Sequence, residues 1–448
     1  MIVSLLMTIN LLFGFLSEFF LSCSILYALV YNSFLVKSSY FNYPLIEEDA
    51  YNQTLFVLFL TSILLVYNYD YIISSASLFI VDCCSTNCKI VVLISSIFSI
   101  GISRPYLIYN KINSFEYYSI KLLAVFSMCF LLSSLDCISM YLSMEMLALC
   151  LYVLSSFKRF SCFSVEAGLK YFVLGSITSG IILFGCVLIY GVFGSTNMNE
   201  IFIINSCGEF SFSLSNIPFY IGISFVIIGF LFKLGAAPFH VWLPDVYEGS
   251  PFSSTVFFAL VPKIVYIMLL ARLCFYSFNS FFVYFQPLFF FCGILSIIIG
   301  SLGALNQTRV KRLLVYSSIT HVGFILLSFS CGTIFSLCCC FFYICLYIIN
   351  NALVWGLLML VYNKETETLH LTSFARVLSL SSFVGLGLVV GLFSLAGIPP
   401  FSGFFMKIFA FVSAYSSGLL ETGLTILFLS VIGAFYYIRF IKIVCFEN

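Results

Sequence analysis

The chain has 448 residues, of which 62% are hydrophobic and 8% charged, and its formal net charge is +1. A soluble domain carries roughly 25% charged residues, so water is not the main solvent of this surface. The near-neutral balance, with no dense Lys/Arg cluster, also excludes a nucleic-acid partner, which would require a basic face.

A helix crosses the ~30 Å hydrocarbon layer with ~20 apolar residues. Runs of this kind fall at about 10–36, 53–67, 89–103, 120–135, 138–157, 168–192, 218–244, 254–275, 283–305, 313–331, 334–361, 380–416 and 421–443. They predict an all-α polytopic membrane protein with about 13 transmembrane helices. The runs are too long and continuous for a β-barrel.

The N-terminal Met1-Ile2-Val3-Ser4-Leu5-Leu6 has neither the basic stretch of a secretory signal nor the Arg/Ser-rich pattern of a transit peptide. No import step is expected, so the chain is made where it is inserted. Its 55 Phe and 28 Tyr also suit a T-rich organelle genome. The first hundred residues include Glu47-Glu48-Asp49 and weaker apolar runs, which leaves their helix count open.

If the spans alternate across the bilayer, Arg104/Lys111, Lys158/Arg159, Arg309/Lys311/Arg312, Lys364 and Arg439/Lys442 all fall on one side. This is the positive-inside pattern, and it faces the basic side to cytoplasm or matrix. The opposite loops, including 193–217 with Glu200 and Glu209, carry almost no Lys or Arg, and Lys89 is the exception. The 18 cysteines are scattered through apolar runs, and Cys338-Cys339-Cys340 has no ligand-type spacing. They read as small buried apolar residues, with no metal site expected.

Two spans are interrupted alike, by Gly235-Ala-Ala-Pro238-Phe239 and by Gly397-Ile-Pro-Pro400-Phe401. Proline removes a backbone donor and clashes with the preceding turn, so both helices should break. Ordinary proline kinks would account for either break alone. A matched pair of broken helices favours an internal repeat around a transport site, running from about 120 to 275 and from about 283 to 443. The expected organisation is N-terminal helices over 1–115, a first repeat over 116–280 and a second over 281–448.

Ionisable residues inside the spans carry the chemistry. Glu145 lies near the middle of 138–157, unless it caps a shorter helix. Lys233 precedes the first break, Lys263 lies in the next span behind Pro262, and Lys407 follows the second break. A charge at the bilayer centre costs at least ~2.5–3.5 kcal/mol, so such groups face a bundle interior, pair with each other or line a proton path. Each can take and release a proton as its surroundings change. Snorkelling to the interface is the alternative, and apolar residues continuing past Lys233 and Lys407 oppose it there.

His321 reads equally as a proton relay and as a hydrogen-bonded packing residue. Lys170 begins its span, at the interface or on a proton uptake route. His240, Asp245 and Glu248 lie beyond the first break, to funnel protons or cap the helix. No nucleophile–base arrangement, nucleotide loop or zinc spacing is present, so covalent catalysis has no support and proton transfer is the implied chemistry.

The stretch Lys233-Leu-Gly-Ala-Ala-Pro238-Phe-His240-Val-Trp242-Leu-Pro244-Asp245-Val-Tyr247-Glu-Gly249-Ser-Pro251 resembles the signature of the antiporter-like membrane subunits of respiratory complex I. Glu166-Ala-Gly-Leu-Lys170-Tyr-Phe, Lys311-Arg312-Leu-Leu-Val-Tyr316-Ser-Ser-Ile-Thr-His321-Val-Gly323 and Ala396-Gly-Ile-Pro-Pro400-Phe-Ser-Gly403-Phe-Phe-Met-Lys407 extend the likeness over about 120–443. The Glu166 element, the Asp245–Pro251 ending and the modest length are most similar to the subunit 2 branch.

That resemblance implies two inverted repeats, each with a discontinuous helix, forming a proton-pumping module. Glu145 and Lys233 match the family's carboxylate–lysine pair, Lys263 its connecting lysine and Lys407 its lysine on the second broken helix. It further implies a mitochondrial inner-membrane location (a bacterial plasma membrane if not organellar), other membrane-arm subunits of complex I as partners, no cofactor on this chain and no directly bound NADH. Part of an enzyme, NADH:ubiquinone reductase, the chain itself would perform no redox chemistry. The absence of a further C-terminal helix and of family motifs before about 115 departs from many relatives. A cation/proton antiporter subunit and a structural membrane subunit are the competing readings.

Overall fold

A computed structural model of the chain describes residues 14–36, 44–67, 73–75, 78–110, 112, 114–206, 217–361, 370–375 and 381–446. Lys111, Glu209, Lys364 and the N-terminal Met1–Leu6 stretch lie outside the described residues. The chain divides into two compact units, one of Met1–Gly229 and Val261–Phe278, the other of Phe230–Leu260 and Asn279–Asn448.

The first unit holds α1 (Leu16–Val36), α2 (Pro44–Tyr67), α3 (Cys83–Asn110), α4 (Phe115–Ser133), α5 (Cys137–Ser155), α6 (Cys162–Phe193), the short α7 (Met198–Ser206) and most of α8 (Ile217–Leu234). A two-stranded antiparallel hairpin, β1 (Ile73–Ser75) with β2 (Phe79–Val81), precedes α3. The second unit holds α9 (Trp242–Gly249) and α10 (Phe252–Leu260). The chain then returns to the first unit as α11 (Pro262–Ala271). The second unit is completed by α12 (Phe282–Leu305), α13 (Val310–Phe329), α14 (Ile334–Val361), α15 (Ser382–Ala396), α16 (Ser402–Ser416) and α17 (Leu420–Phe446).

Among the described residues, eleven helical stretches are long and apolar enough to cross a membrane, and Ser382–Ala396 is a shorter apolar helix. The expected all-α polytopic fold is therefore present, with the small hairpin added. Expected boundaries shift in two instructive places. The run 89–103 is the core of the longer Cys83–Asn110, whose N-terminal turns carry serine, threonine and lysine. The run 380–416 is two helices, α15 and α16, separated at Gly397–Phe401.

Many hydroxyls in these apolar helices are satisfied locally. Ser317 donates to the Leu314 carbonyl and Ser318 to that of Val315, each at 2.7 Å. A hydroxyl bonded to the preceding turn leaves no unmet donor in the hydrocarbon. Close helix crossings use small residues. A Cβ on Gly300 of α12 would lie 2.9 Å from the Tyr316 carbonyl oxygen and the Thr320 nitrogen of α13, so only glycine admits this approach. With α13 held that closely, nearly all of it is buried, and it forms the axis of the second unit's core.

Candidate functional site

The two breaks are built by the same chemistry. At the first, α8 ends at Leu234 and Gly235 turns the chain at φ 73°. At the second, α15 ends at Ala396 and Gly397 turns it at φ 79°. This left-handed backbone is open to glycine and strained for residues with a Cβ. A helix stopped in the membrane leaves carbonyls without partners. At the first break the Trp242 indole N–H donates to the Phe232 carbonyl at 3.1 Å, its ring stacked on Phe232 with centroids 5.4 Å apart. At the second, the Lys407 ammonium donates to the Ala396 carbonyl at 2.5 Å. In each case the chain beyond the break returns a donor to the helix before it.

Of the lysines expected at depth, Lys233 and Lys263 are buried and Lys407 is half-buried. Lys233 is in the last turn of α8 and 6% exposed, and Lys263 is the second residue of α11 and 4% exposed. Lys407 lies in the second turn of α16, its ammonium also 5.8 Å from the centroid of Phe324 on α13. A negative carbonyl end and an aromatic face both favour a cation there.

Glu145 is the ninth residue of α5, roughly 12 Å along the helix axis at 1.5 Å per residue. It is half-buried, and its Oε1 is enclosed without a hydrogen-bond partner among the described residues. Tyr141, Tyr152 and Tyr266 of the same unit interact with it electrostatically. Tyr266 sits on α11 one turn beyond Lys263, so α11 brings the lysine and the carboxylate into one region of the first unit.

His321 of α13 is 2% exposed and has both ring nitrogens engaged, Nδ1 with the Tyr343 hydroxyl at 2.8 Å and Nε2 with that of Tyr437 at 3.1 Å. Lys170 faces outward, ion-paired with Glu166 at 2.8 Å, and the structure does not bring it together with the buried group. His240 is half-buried with an enclosed, unbonded Nδ1. Asp245 and Glu248 are taken up by arginines: Arg312 reaches Asp245 at 3.1 Å and also pairs with Glu248, which Arg309 engages as well. These contacts clamp α9 to the start of α13.

Several buried charges escaped the sequence reading. Lys89, expected in a loop, is instead inside α3 with 0% exposure and paired with Glu18 of α1, which is 2% exposed. The physical reason is that the ion pair, further held by a 2.5 Å bond from Ser17 to Glu18, lets the lysine sit within the helix. Lys121 of α4 is likewise fully buried, 3.3 Å from the Ser103 hydroxyl and 4.5 Å from the Tyr117 ring centroid. Arg272 spans Asp82, at 3.1 Å to both oxygens, and the carbonyls of Leu132 and Ser134 at 2.7 and 3.1 Å. Their signal, a charge within an apolar run, was present in the sequence; their partners, far along the chain, were not.

Two broken helices, with a buried lysine beside the first and a half-buried one beside the second, and a half-buried carboxylate and a buried imidazole in other helices, define a multi-pass membrane protein with ionisable groups inside its apolar helices. Comparison with known proteins specifies the class. Residues 134–433 match the family described as NADH:quinone oxidoreductase/Mrp antiporter, TM, a span that includes Glu145, Lys170, Lys233, Lys263, His321 and Lys407. The chain is 37% identical over 434 residues to NADH-ubiquinone oxidoreductase chain 2 of Marchantia polymorpha, covering 96% of this chain and 88% of that protein. It is 34% identical over 433 residues to NADH-quinone oxidoreductase subunit N of Ruthia magnifica, covering 97% and 88%. A chain of respiratory complex I from Thermus thermophilus with bound aureothin superposes with a TM-score of 0.79 at 25% identity, covering 96% of this chain and 89% of that one. The chain belongs to the NADH:quinone oxidoreductase/Mrp antiporter membrane family.

Proposed function

We propose that the chain translocates protons as a membrane-arm subunit of NADH:ubiquinone oxidoreductase in the mitochondrial inner membrane. Its partners are the other membrane-arm subunits and lipid, it binds no NADH, and it holds no redox cofactor. Protons move through Glu145, Lys233, Lys263, His321 and Lys407, driven by quinone reduction elsewhere in the complex. Lys170 serves the uptake route in this reading.

The observation that carries it is the Lys407 ammonium lodged on the Ala396 carbonyl at the second break. A cation held by a helix C-terminus is stabilised by that dipole and by nothing covalent, so a shift of α16 against α15 changes how tightly its proton is held. The unbonded Oε1 of Glu145 supplies a second group whose charge costs more when it lacks a partner. Alternately engaging and releasing such groups converts movement of charge along the membrane plane into proton uptake and release. The identity to a curated chain 2 over nearly the whole length supports the assignment to the oxidoreductase arm of the family.

Mass spectrometry of the detergent-solubilised native complex tests the partner assignment. Copurification with flavin- and iron–sulfur-bearing chains is expected. Copurification with small membrane chains alone would place the protein with the cation/proton antiporters instead.

A further inference from the structure

His321 has an unusual set of partners for a buried histidine. A packing histidine needs one hydrogen bond, and a histidine fixed for metal binding or general-base work is commonly locked in one tautomer by a carboxylate. Here both nitrogens meet phenols, Tyr343 of α14 at 2.8 Å and Tyr437 of α17 at 3.1 Å. The three side chains are 2%, 0% and 1% exposed. A phenol hydroxyl both donates and accepts, so these partners favour neither tautomer. The file continues on the α17 side, where the Tyr436 ring packs 4.3 Å from that of Tyr437 and its hydroxyl lies 3.2 Å from Thr320 Oγ1. All of these residues belong to the second unit, and Phe324, one turn beyond His321, is the ring that Lys407 overlies.

We propose that Tyr437, His321 and Tyr343 form a hydrogen-bonded proton relay between α17 and α14, with the two tyrosine hydroxyls as proton-transfer groups alongside the imidazole. The inference rests on the proton-pumping reading and adds to it the groups that feed and drain His321. In one passage the Tyr437 O–H bond breaks as its proton forms a bond to Nε2, while the Nδ1–H bond breaks as its proton bonds to the Tyr343 oxygen. Tyr437 regains a proton from its far side, and Tyr343 releases its own on its far side from the imidazole. No electrons are exchanged, and each oxygen gains one proton for the one it loses. The imidazole is left in its other tautomer with the hydroxyls reversed, so the file must reset before a second proton passes. It therefore carries protons singly and supports no open leak.

The test uses the assembled respiratory complex in sealed membrane vesicles, with NADH-driven proton uptake measured for Tyr343→Phe, Tyr437→Phe, the double variant, His321→Gln and Lys407→Met. Removing a hydroxyl leaves each ring in place. The relay predicts assembled complexes in which each Phe variant lowers proton translocation about tenfold, a modest share of what a positioned proton-transfer group supplies. The double variant should be no worse than either single, because the groups act in series. Wild-type translocation in either Phe variant overturns the relay, as does failure of both to assemble, since the hydroxyls would then be structural. Should Lys407→Met lose translocation while the Phe variants keep it, only the relay fails. Normal translocation in Lys407→Met as well would remove the pumping reading itself.

Discussion

The ammonium of Lys407 lies 2.5 Å from the carbonyl oxygen of Ala396, joining α16 to the end of α15 across the break between them. The aliphatic part of the same side chain fills the space over Gly397, where a Cβ would come within 2.8 Å of Lys407 Cδ and Cε. One lysine therefore caps a stopped helix, shapes the turn and carries an ionisable group beside the break.

Gly403→Ala should be the most damaging glycine substitution at this break. Its Cβ would lie 1.4 Å from the Ser394 carbonyl oxygen, a backbone atom that cannot move without separating α15 from α16. Gly180→Ala, with nothing within 4 Å of the added carbon, is the matched control. Native gels of membranes carrying each variant should show loss of the assembled complex for Gly403→Ala and normal amounts for Gly180→Ala.

Lys89→Leu should destabilise the N-terminal helices far more than the double Glu18→Leu/Lys89→Leu. The single change strands a carboxylate that is 2% exposed, and breaking a buried pair costs about 3–5 kcal/mol. Removing both charges replaces the pair with apolar packing and is close to neutral by the same reasoning. Thermal melting of the purified complex reads the difference, and equal melting temperatures for the two variants would contradict it.

Trp242→Phe keeps the stacking on Phe232 and deletes the N–H that meets the Phe232 carbonyl. The expected loss is about 0.5–1.5 kcal/mol, the net worth of one hydrogen bond, because the Phe232 carbonyl keeps the Gly235 N–H at 2.9 Å. The melting temperature of the purified complex should fall below that of the parent. An unchanged melting temperature would mean that the indole hydrogen bond does not hold the break.

Arg272→Lys should behave as a disruptive change despite conserving charge. The guanidinium meets both Asp82 oxygens and two carbonyls together, a geometry that an ammonium cannot reproduce. A fall in melting temperature comparable to that of Arg272→Met is expected, whereas a Lys variant as stable as the parent would show that charge alone is needed.

How much of this was legible in the sequence depends on the range of the interaction. The breaks at Gly235 and Gly397 were readable because glycine and proline act on the backbone where they stand. The burial of Lys233 and Lys263 followed from the apolar residues around them. Pairings were another matter: Glu18 and Lys89 are 71 residues apart, and no local period connects α1 with α3. The same gap left His321 undecided, since its tyrosines come from α14 and α17, and Tyr343 and Tyr437 look like any other aromatic residues of a lipid-facing helix until the packing sets their hydroxyls on the ring. Lys170 began an apolar run, yet its α-helical neighbour Glu166 draws it outward.

The decisive measurement is NADH-driven proton translocation by an assembled complex carrying Lys233→Met. Methionine preserves the length and apolar stem of lysine and removes only the ammonium, so the helix before the first break should still form and the complex should still assemble. Normal amounts of complex are expected, with NADH oxidation and proton uptake both strongly reduced. A complex that assembles and translocates protons as the parent does would contradict it.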